Sequence, residues 1–200
     1  MEKKGKEGAT LIIMDVRGFE SEPALTKVSD EEREKALRFR QEEDRKLFLA
    51  GRLLIRRFVS NKPLSFSPNK KPYIEGASPF SLSHSYPYVC LLFSSSSVGI
   101  DIEMKARLSS SPLEKFFSEE DMQRVSDLGY LWCLKEAVFK CSGEGNFYPK
   151  EPFEEIGEDV IKMKEKDYFV KRIFHPEAMI VAALSKEEEI AIHFLKGTEL

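Results

Sequence analysis

Between Val98 and Glu103 apolar and polar residues alternate strictly, Val98, Ile100 and Ile102 against Gly99, Asp101 and Glu103. A period of two predicts a half-buried strand whose apolar face packs into a core. Its other face carries two carboxylates at i and i+2, beside a glycine with no side chain to obstruct access to them. Like charges this close repel, so the pattern asks for a counter-charge or a cation between them.

The same reading organises the rest of the chain. Residues 1 to 8 are polar and expected to be loose, and Leu11 to Val16 is predicted as a first strand. Ser29 followed by Glu32 fits a capping box, with Val28 as its staple. It opens a strongly charged helix to about Glu43, and a second helical stretch continues to about Ser60. There Leu47, Ala50, Leu54 and Phe58 fall at spacings of three and four, giving one apolar stripe that Asn61 and Pro63 end. Phe80 to Ser85 alternates and Tyr88 to Phe93 is almost continuously apolar. The four serines at 94 to 97 predict a hairpin from that run into the Val98 strand.

A second helical region begins over residues 107–122, with Leu113, Phe116 and Phe117 as apolar contacts and Ser118 with Asp121 as a cap. Leu131 to Cys141 reads as a strong helix with Leu134, Ala137, Val138 and Cys141 on its buried stripe and Gly143 as its stop. Strands are predicted at 168–174, 178–184 and 190–195. The second half thus repeats the plan of the first, helices followed by an antiparallel run of strands, without a sequence repeat strong enough to prove duplication. The expected fold class is α+β.

Composition narrows the class. The 200 residues are 42% hydrophobic and 32% charged, values of an ordinary globular protein long enough to bury a proper core. A net charge of −3 argues against a dedicated nucleic-acid binder. Cys90, Cys133 and Cys141 lie in apolar contexts without zinc-site or disulfide spacings, as small core residues of a reducing compartment do. The first apolar run is too short for a signal peptide and no stretch reaches membrane-spanning length, so the expected location is cytoplasmic with no membrane partner.

Several groups are candidates for chemistry. Glu136 and Lys140 stand at i and i+4 on a helix that is otherwise almost fully apolar, where charges need a polar cavity or partners. Asp101, Glu103 and Glu136 together offer only oxygen ligands, a set suited to Mg²⁺, which keeps several waters and borrows ligands from substrate phosphates. Ser83, His84 and Ser85 alternate across a strand, so they do not form a catalytic dyad in themselves, but Ser83 or His84 can donate to a phosphate. His175 and His193 have no sequence partners and read as structural or surface residues. The helices before residue 60 carry nine arginines and lysines, among them Lys35, Arg45, Lys46, Arg52 and Arg56. They read either as a solvated face or as a rim that attracts phosphates or an acidic protein. No Walker loop or Gly-x-Gly-x-x-Gly is present.

Three segments, in order and spacing, resemble the signatures of the phosphopantetheinyl transferase superfamily. They are Phe80-Ser-Leu-Ser-His-Ser85 with the upstream Lys71-Pro72, Val98-Gly-Ile-Asp-Ile-Glu103, and Trp132-Cys-Leu-Lys-Glu-Ala-Val-Phe-Lys140. Phe116-Phe117-Ser118 and Gly143-Glu-Gly145 are also similar to that family. The length resembles the monomeric surfactin-synthetase-activating type, which implies a pseudo-two-fold arrangement of two similar α+β halves. Each half, residues 1–100 and 101–200, would pack helices on a small antiparallel sheet, with the active site between them.

The resemblance implies transfer of the 4′-phosphopantetheine arm of coenzyme A to a serine of an acyl or peptidyl carrier protein. It implies Asp101, Glu103 and Glu136 as Mg²⁺ ligands, Glu136 also as the base for the carrier serine, and Lys140 on the transferred phosphate. It further places Ser83, His84 and Lys71 near the phosphates of the nucleotide portion. Three positions depart from the family: Leu47 stands where an arginine is usual, with the basic Arg45 and Lys46 just before it, Lys70 replaces a glycine, and Asn146 replaces an apolar residue. Two other classes fit part of the pattern, a non-catalytic coenzyme A or carrier-binding relative and a carboxylate-metal phosphoesterase.

Overall fold

The structure is a computed structural model that describes residues 8–144, 147–157 and 159–200. Most of the terminal segment expected to be loose, together with Gly145 and Asn146, lies outside the described residues. The elements run β1 (Ala9–Asp15), α1 (Ser21–Leu25), α2 (Asp30–Leu37), α3 (Glu42–Phe58), β2 (Ser65–Phe66), β3 (Pro72–Tyr73), β4 (Phe80–Ser85), β5 (Tyr88–Phe93) and β6 (Val98–Met104). They continue with α4 (Lys105–Ser109), a 3₁₀ turn (Leu113–Phe116), α5 (Glu119–Arg124), α6 (Leu128–Ser142), β7 (Glu154–Gly157), β8 (Val160–Met163), β9 (Lys166–Ile173), β10 (Ala178–Leu184) and β11 (Ile190–Lys196).

Two main sheets result, one ordered β11-β1-β5-β4 and one ordered β6-β10-β9-β8-β7. They pack face to face. Leu11, Ile13, Cys90 and Leu92 of the first meet Ile100, Ile102, Ile180 and Ala182 of the second in one buried layer. The outer face of the first sheet, with Ile12, Met14, Val89 and Leu91, is covered by α3 through Leu47, Ala50 and Leu54. The outer face of the second, with Val181 and Ala183, is covered by α6 through Leu134, Ala137 and Val138. The fold is therefore mixed α+β in four layers, helix, sheet, sheet, helix. β1 and β10 are apolar on both faces because both faces are covered, and they read as continuous apolar runs for that reason.

Local signals for helix ends hold. Ser29 accepts from the Glu32 amide while the Glu32 carboxylate accepts from the Ser29 amide, closing the capping box of α2. Ser118 accepts from the Asp121 amide at the start of α5. Gly143 ends α6 in the left-handed region at φ 71°. His175 is buried, its Nδ1 accepting from the Glu177 and Ala178 amides, and His193 is exposed. The three cysteines are buried and free.

Long-range pairings differ from the expectation. The predicted hairpin between residues 88–93 and the Val98 strand does not form. Tyr88–Phe93 instead pairs with β4 on one side and β1 on the other, so it has no free edge to offer β6. β6 pairs with β10 in the other sheet. The final strand does not extend the antiparallel run of the second half either; it crosses to lie parallel to β1. The charged helix expected to reach Glu43 ends at Leu37, and α3 starts at Glu42. α1, β7 and β8 carry too few residues for periodicity to reveal.

Candidate active site

Asp101 and Glu103 project from β6 on the face opposite Ile100 and Ile102, and α6 crosses that face. Gly99 decides how closely. A β-carbon there would stand 1.9 Å from the Ala137 carbonyl oxygen and 2.5 Å from the Cys141 amide nitrogen. Only a residue without a side chain lets the helix backbone come this near the strand. The glycine makes room for α6, which corrects the expectation that it keeps access open for a ligand. Glu136 and Lys140, one helical turn apart, are thereby lowered over Asp101.

The contacts are close. Lys140 Nζ donates to Asp101 Oδ1 at 2.6 Å and to Ser83 Oγ at 3.2 Å, and it lies 4.0 Å from Glu136 Oε2. Ser83 Oγ donates to Asp101 Oδ1 at 2.9 Å, and Ser85 Oγ donates to Glu103 Oε2 at 2.9 Å. Burial raises the Glu136 carboxyl above its ordinary pKa; Lys140 opposes this, while Asp101 and Glu103 add repulsion. Burial likewise raises Glu103, against the Ser85 hydrogen bond and Arg107.

These groups border a cleft of about 530 Å³. Lys35 reaches it from α2, Asp44, Leu47, Phe48 and Arg52 from α3, and Trp132 from α6. His84 borders this cleft and is exposed to solvent. Partial desolvation and then Lys140 lower its pKa, against Asp44 and Asp101, so the imidazole is neutral at pH 7.

Six of the nine expected site residues, Ser83, His84, Asp101, Glu103, Glu136 and Lys140, share this cleft. Lys71 borders an adjoining pocket of about 230 Å³ that also touches Lys140; its ammonium lies 3.4 Å from the Val98 and Cys141 carbonyls, and burial lowers its pKa. Arg45 and Lys46 do not border the cleft. The Arg45 guanidinium is engaged by the Ala36 and Phe39 carbonyls, both at 3.3 Å, and by Glu42 at 2.8 Å. Leu47 is buried at the cleft wall, and the basic groups there are Lys35 and Arg52. In the sequence nothing but the general basicity of the two helices marked that pair, because their convergence depends on how α2 packs on α3. Arg52 and Arg56 also pair with Glu32 at 3.4 and 2.7 Å, so much of the expected basic rim is internally compensated.

The cluster fits a hard cation by its chemistry. Every candidate donor is oxygen, and Asp101 Oδ2 is buried with no hydrogen-bond partner. Glu103 and Glu136 both have carboxyls whose ionisation the surroundings disfavour, which a cation would relieve. Among the described residues, however, no three His, Cys, Asp or Glu side chains are arranged around a common metal position. The positive charge beside Asp101 is the Lys140 ammonium.

A family model for the 4′-phosphopantetheinyl transferase superfamily matches residues 97–157, the segment that holds β6 and α6. The 4′-phosphopantetheinyl transferase Sfp of Bacillus subtilis (strain 168) is 32% identical over 67% of this chain and 68% of its own length. The chain belongs to the 4′-phosphopantetheinyl transferase superfamily. It is also similar to the 4′-phosphopantetheinyl transferase gsp of Aneurinibacillus migulanus, 30% identical over 63% of this chain and 60% of that protein. A third relative, the transferase ffp of Bacillus subtilis, is 31% identical over 67% of this chain and 68% of its own length. The chain thus spans between 60% and 68% of the length of these members of its superfamily. Asp101, Glu103, Glu136 and Lys140 fall inside the matched segment, whereas Ser83 and His84 lie on β4, outside it. No described helix is long and apolar enough to cross a membrane.

Proposed function

We propose that this member of the superfamily transfers the 4′-phosphopantetheine arm of coenzyme A to a serine of an acyl or peptidyl carrier protein, with Mg²⁺, as a cytoplasmic monomer. The observation that carries the reading is the Asp101–Lys140–Glu136 cluster at the cleft, with Ser83 and His84 beside it. Asp101, Glu103 and Glu136 would hold the metal together with the pyrophosphate of coenzyme A. The bound ion would supply charge neutralisation on the bridging oxygen of the leaving group.

The chain's own residues supply the rest. Glu136, whose carboxyl is held high by burial, takes the proton from the attacking carrier serine, a task suited to a base with a raised pKa. The serine oxygen forms its bond to phosphorus as the bond to the leaving nucleotide breaks. Lys140, free to turn from Asp101 towards an incoming phosphate, holds the group being transferred. Ser83 and His84 contact the nucleotide phosphates, with Lys71 in the adjoining pocket. Lys35 and Arg52, which border the cleft, take the nucleotide contact in preference to Arg45 and Lys46. Acidic carrier helices are steered by the basic groups of α2 and α3. The buried free cysteines agree with a reducing compartment.

The test is incubation with coenzyme A, Mg²⁺ and a broad panel of apo-carrier proteins, read by mass spectrometry. A carrier should gain the mass of the arm, and Asp101→Ala should gain none while remaining folded. Folded protein that binds coenzyme A yet modifies no carrier leaves only a binding role. Nucleotide release without any carrier points instead to a phosphoesterase.

A further inference from the structure

The two main sheets meet at β4 and β6, an edge strand of each. No backbone ladder joins these edges. Instead the serines that alternate along β4 reach across: Ser81 Oγ accepts from the Ile100 amide at 3.1 Å, Ser83 Oγ from Ile102 at 3.4 Å, and Ser85 Oγ from Met104 at 3.3 Å. All three serines are buried. Each hydroxyl thereby satisfies an outward-facing amide of β6 that has no strand to pair with.

A hydroxyl has one proton to give and two lone pairs to receive. Ser83 and Ser85 give theirs to Asp101 and Glu103 at 2.9 Å. The strand register explains the match, because amides 100, 102 and 104 are offset by one residue from the carboxylates at 101 and 103. Ser81 has no such partner, since the residue just before Ile100 is Gly99. The first rung therefore knits the sheets alone, and the other two knit the sheets and orient a carboxylate. Arg107, 3.5 Å from Glu103 and largely exposed, does not orient it to any comparable degree.

We propose that Ser85 is a positioning residue that aims the Glu103 carboxylate at the metal position, through the same hydroxyl that closes the junction between the sheets. This rests on the metal reading above. It gives Ser85 a task separate from the phosphate contacts assigned to Ser83 and His84. Partners that orient a metal ligand commonly change metal affinity by about ten- to a hundredfold when removed.

Ser81→Ala supplies the matched control, because it deletes the amide contact and leaves every carboxylate untouched. Mn²⁺ serves as the probe, titrated into wild type, Ser81→Ala, Ser85→Ala and Ser85→Thr, each saturated with coenzyme A, with free Mn²⁺ read by electron paramagnetic resonance. Ser85→Ala should bind Mn²⁺ about tenfold more weakly, Ser81→Ala should bind it as wild type does, and Ser85→Thr should restore it. Coenzyme A affinity without metal should be unchanged in all four, and melting temperature should fall alike in the two alanine variants. Should Ser85→Ala fail to fold, Ser85→Cys keeps the bulk with only a weak S–H donor and should weaken Mn²⁺ binding in the same direction. Equal Mn²⁺ affinity in Ser81→Ala and the Ser85 variants overturns the proposal while leaving the metal reading intact. No Mn²⁺ binding by wild type overturns the metal reading itself.

Discussion

α6 carries two lysines five residues apart, each paired with an aspartate of another element, and the two pairs behave oppositely. Lys135 is sealed: its ammonium donates to Asp121 Oδ2 at 2.5 Å, to the Pro149 carbonyl at 2.7 Å and to the Glu151 carbonyl at 2.5 Å, with lysine and aspartate 4% and 0% exposed. All three ammonium protons are engaged, and the pair ties α5 and the 149–151 segment to α6. Lys140 is open: 27% exposed, it shares a cleft with Glu136 and Glu103. Each aspartate leaves one buried oxygen without a partner, Asp101 Oδ2 and Asp121 Oδ1. An orphaned oxygen is therefore not what marks a site. The mark is an orphan next to further carboxylates at a cleft large enough for a phosphorylated ligand.

The strongest way to break this contrast is to exchange the outcomes of substitution at the two pairs. Glu136→Gln should lower the transfer rate about a thousandfold, within the usual range for removing a general base, without lowering the melting temperature of the metal-free protein. Steady-state kinetics with a modified carrier checks this; a rate near wild type would move the base elsewhere. Lys135→Met should do the reverse. Leaving Asp121 buried and unpaired is expected to cost about 3–5 kcal/mol in denaturant unfolding, with the folded fraction still turning over.

Gly99→Ala tests whether strand-to-helix clearance underlies the open pair. The new methyl overlaps helix backbone, so α6 must shift; a stability loss of about 1–3 kcal/mol is expected, with a fall in transfer because Glu136 and Lys140 move with it. Unchanged stability would mean that the strand, not the helix, yields.

A smaller effect is expected from pH. Glu136 has a folded pKa above the ordinary 4.5, so the folded state holds its proton more tightly than the unfolded chain. That contribution to stability is complete below 4.5 and is lost as pH rises through the folded value. The metal-free wild type should therefore lose stability relative to Glu136→Gln as pH rises from about 4 to 7, and unfolding of both across that range measures it. The smallest effect belongs to Arg45→Gln, expected to cost about 0.5–1.5 kcal/mol through its carbonyl contacts and to leave coenzyme A affinity unchanged. A clear drop in affinity would return the nucleotide contact to Arg45.

The β6 strand and the α6 helix were legible because their signals are local. Alternation placed Asp101 and Glu103 on one face, and i,i+4 spacing placed Glu136 beside Lys140. The capping box at Ser29 and the stop at Gly143 were legible for the same reason, since caps involve residues within one turn. Arg45 and Arg52 were not separable in this way. Both are basic residues on α3, and only the packing of α2 directs one to the carbonyls at the end of α2 and just beyond it and the other to the cleft. The hairpin expected after Phe93 failed for a related reason: nothing near 94–97 tells that β5 already has two neighbours.

By itself, then, the amino-acid sequence determined the strand faces, the helix ends marked by a capping residue and the set of chemical groups available to the cleft. It did so because these follow from backbone periodicity and from neighbours within about four residues. Tertiary structure alone decided that α6 rests directly on Gly99, that serines of one sheet hold the carboxylates of the other, and which of two lysines on a single helix is sealed. Those outcomes depend on contacts between residues tens of positions apart, whose distances no local spacing encodes.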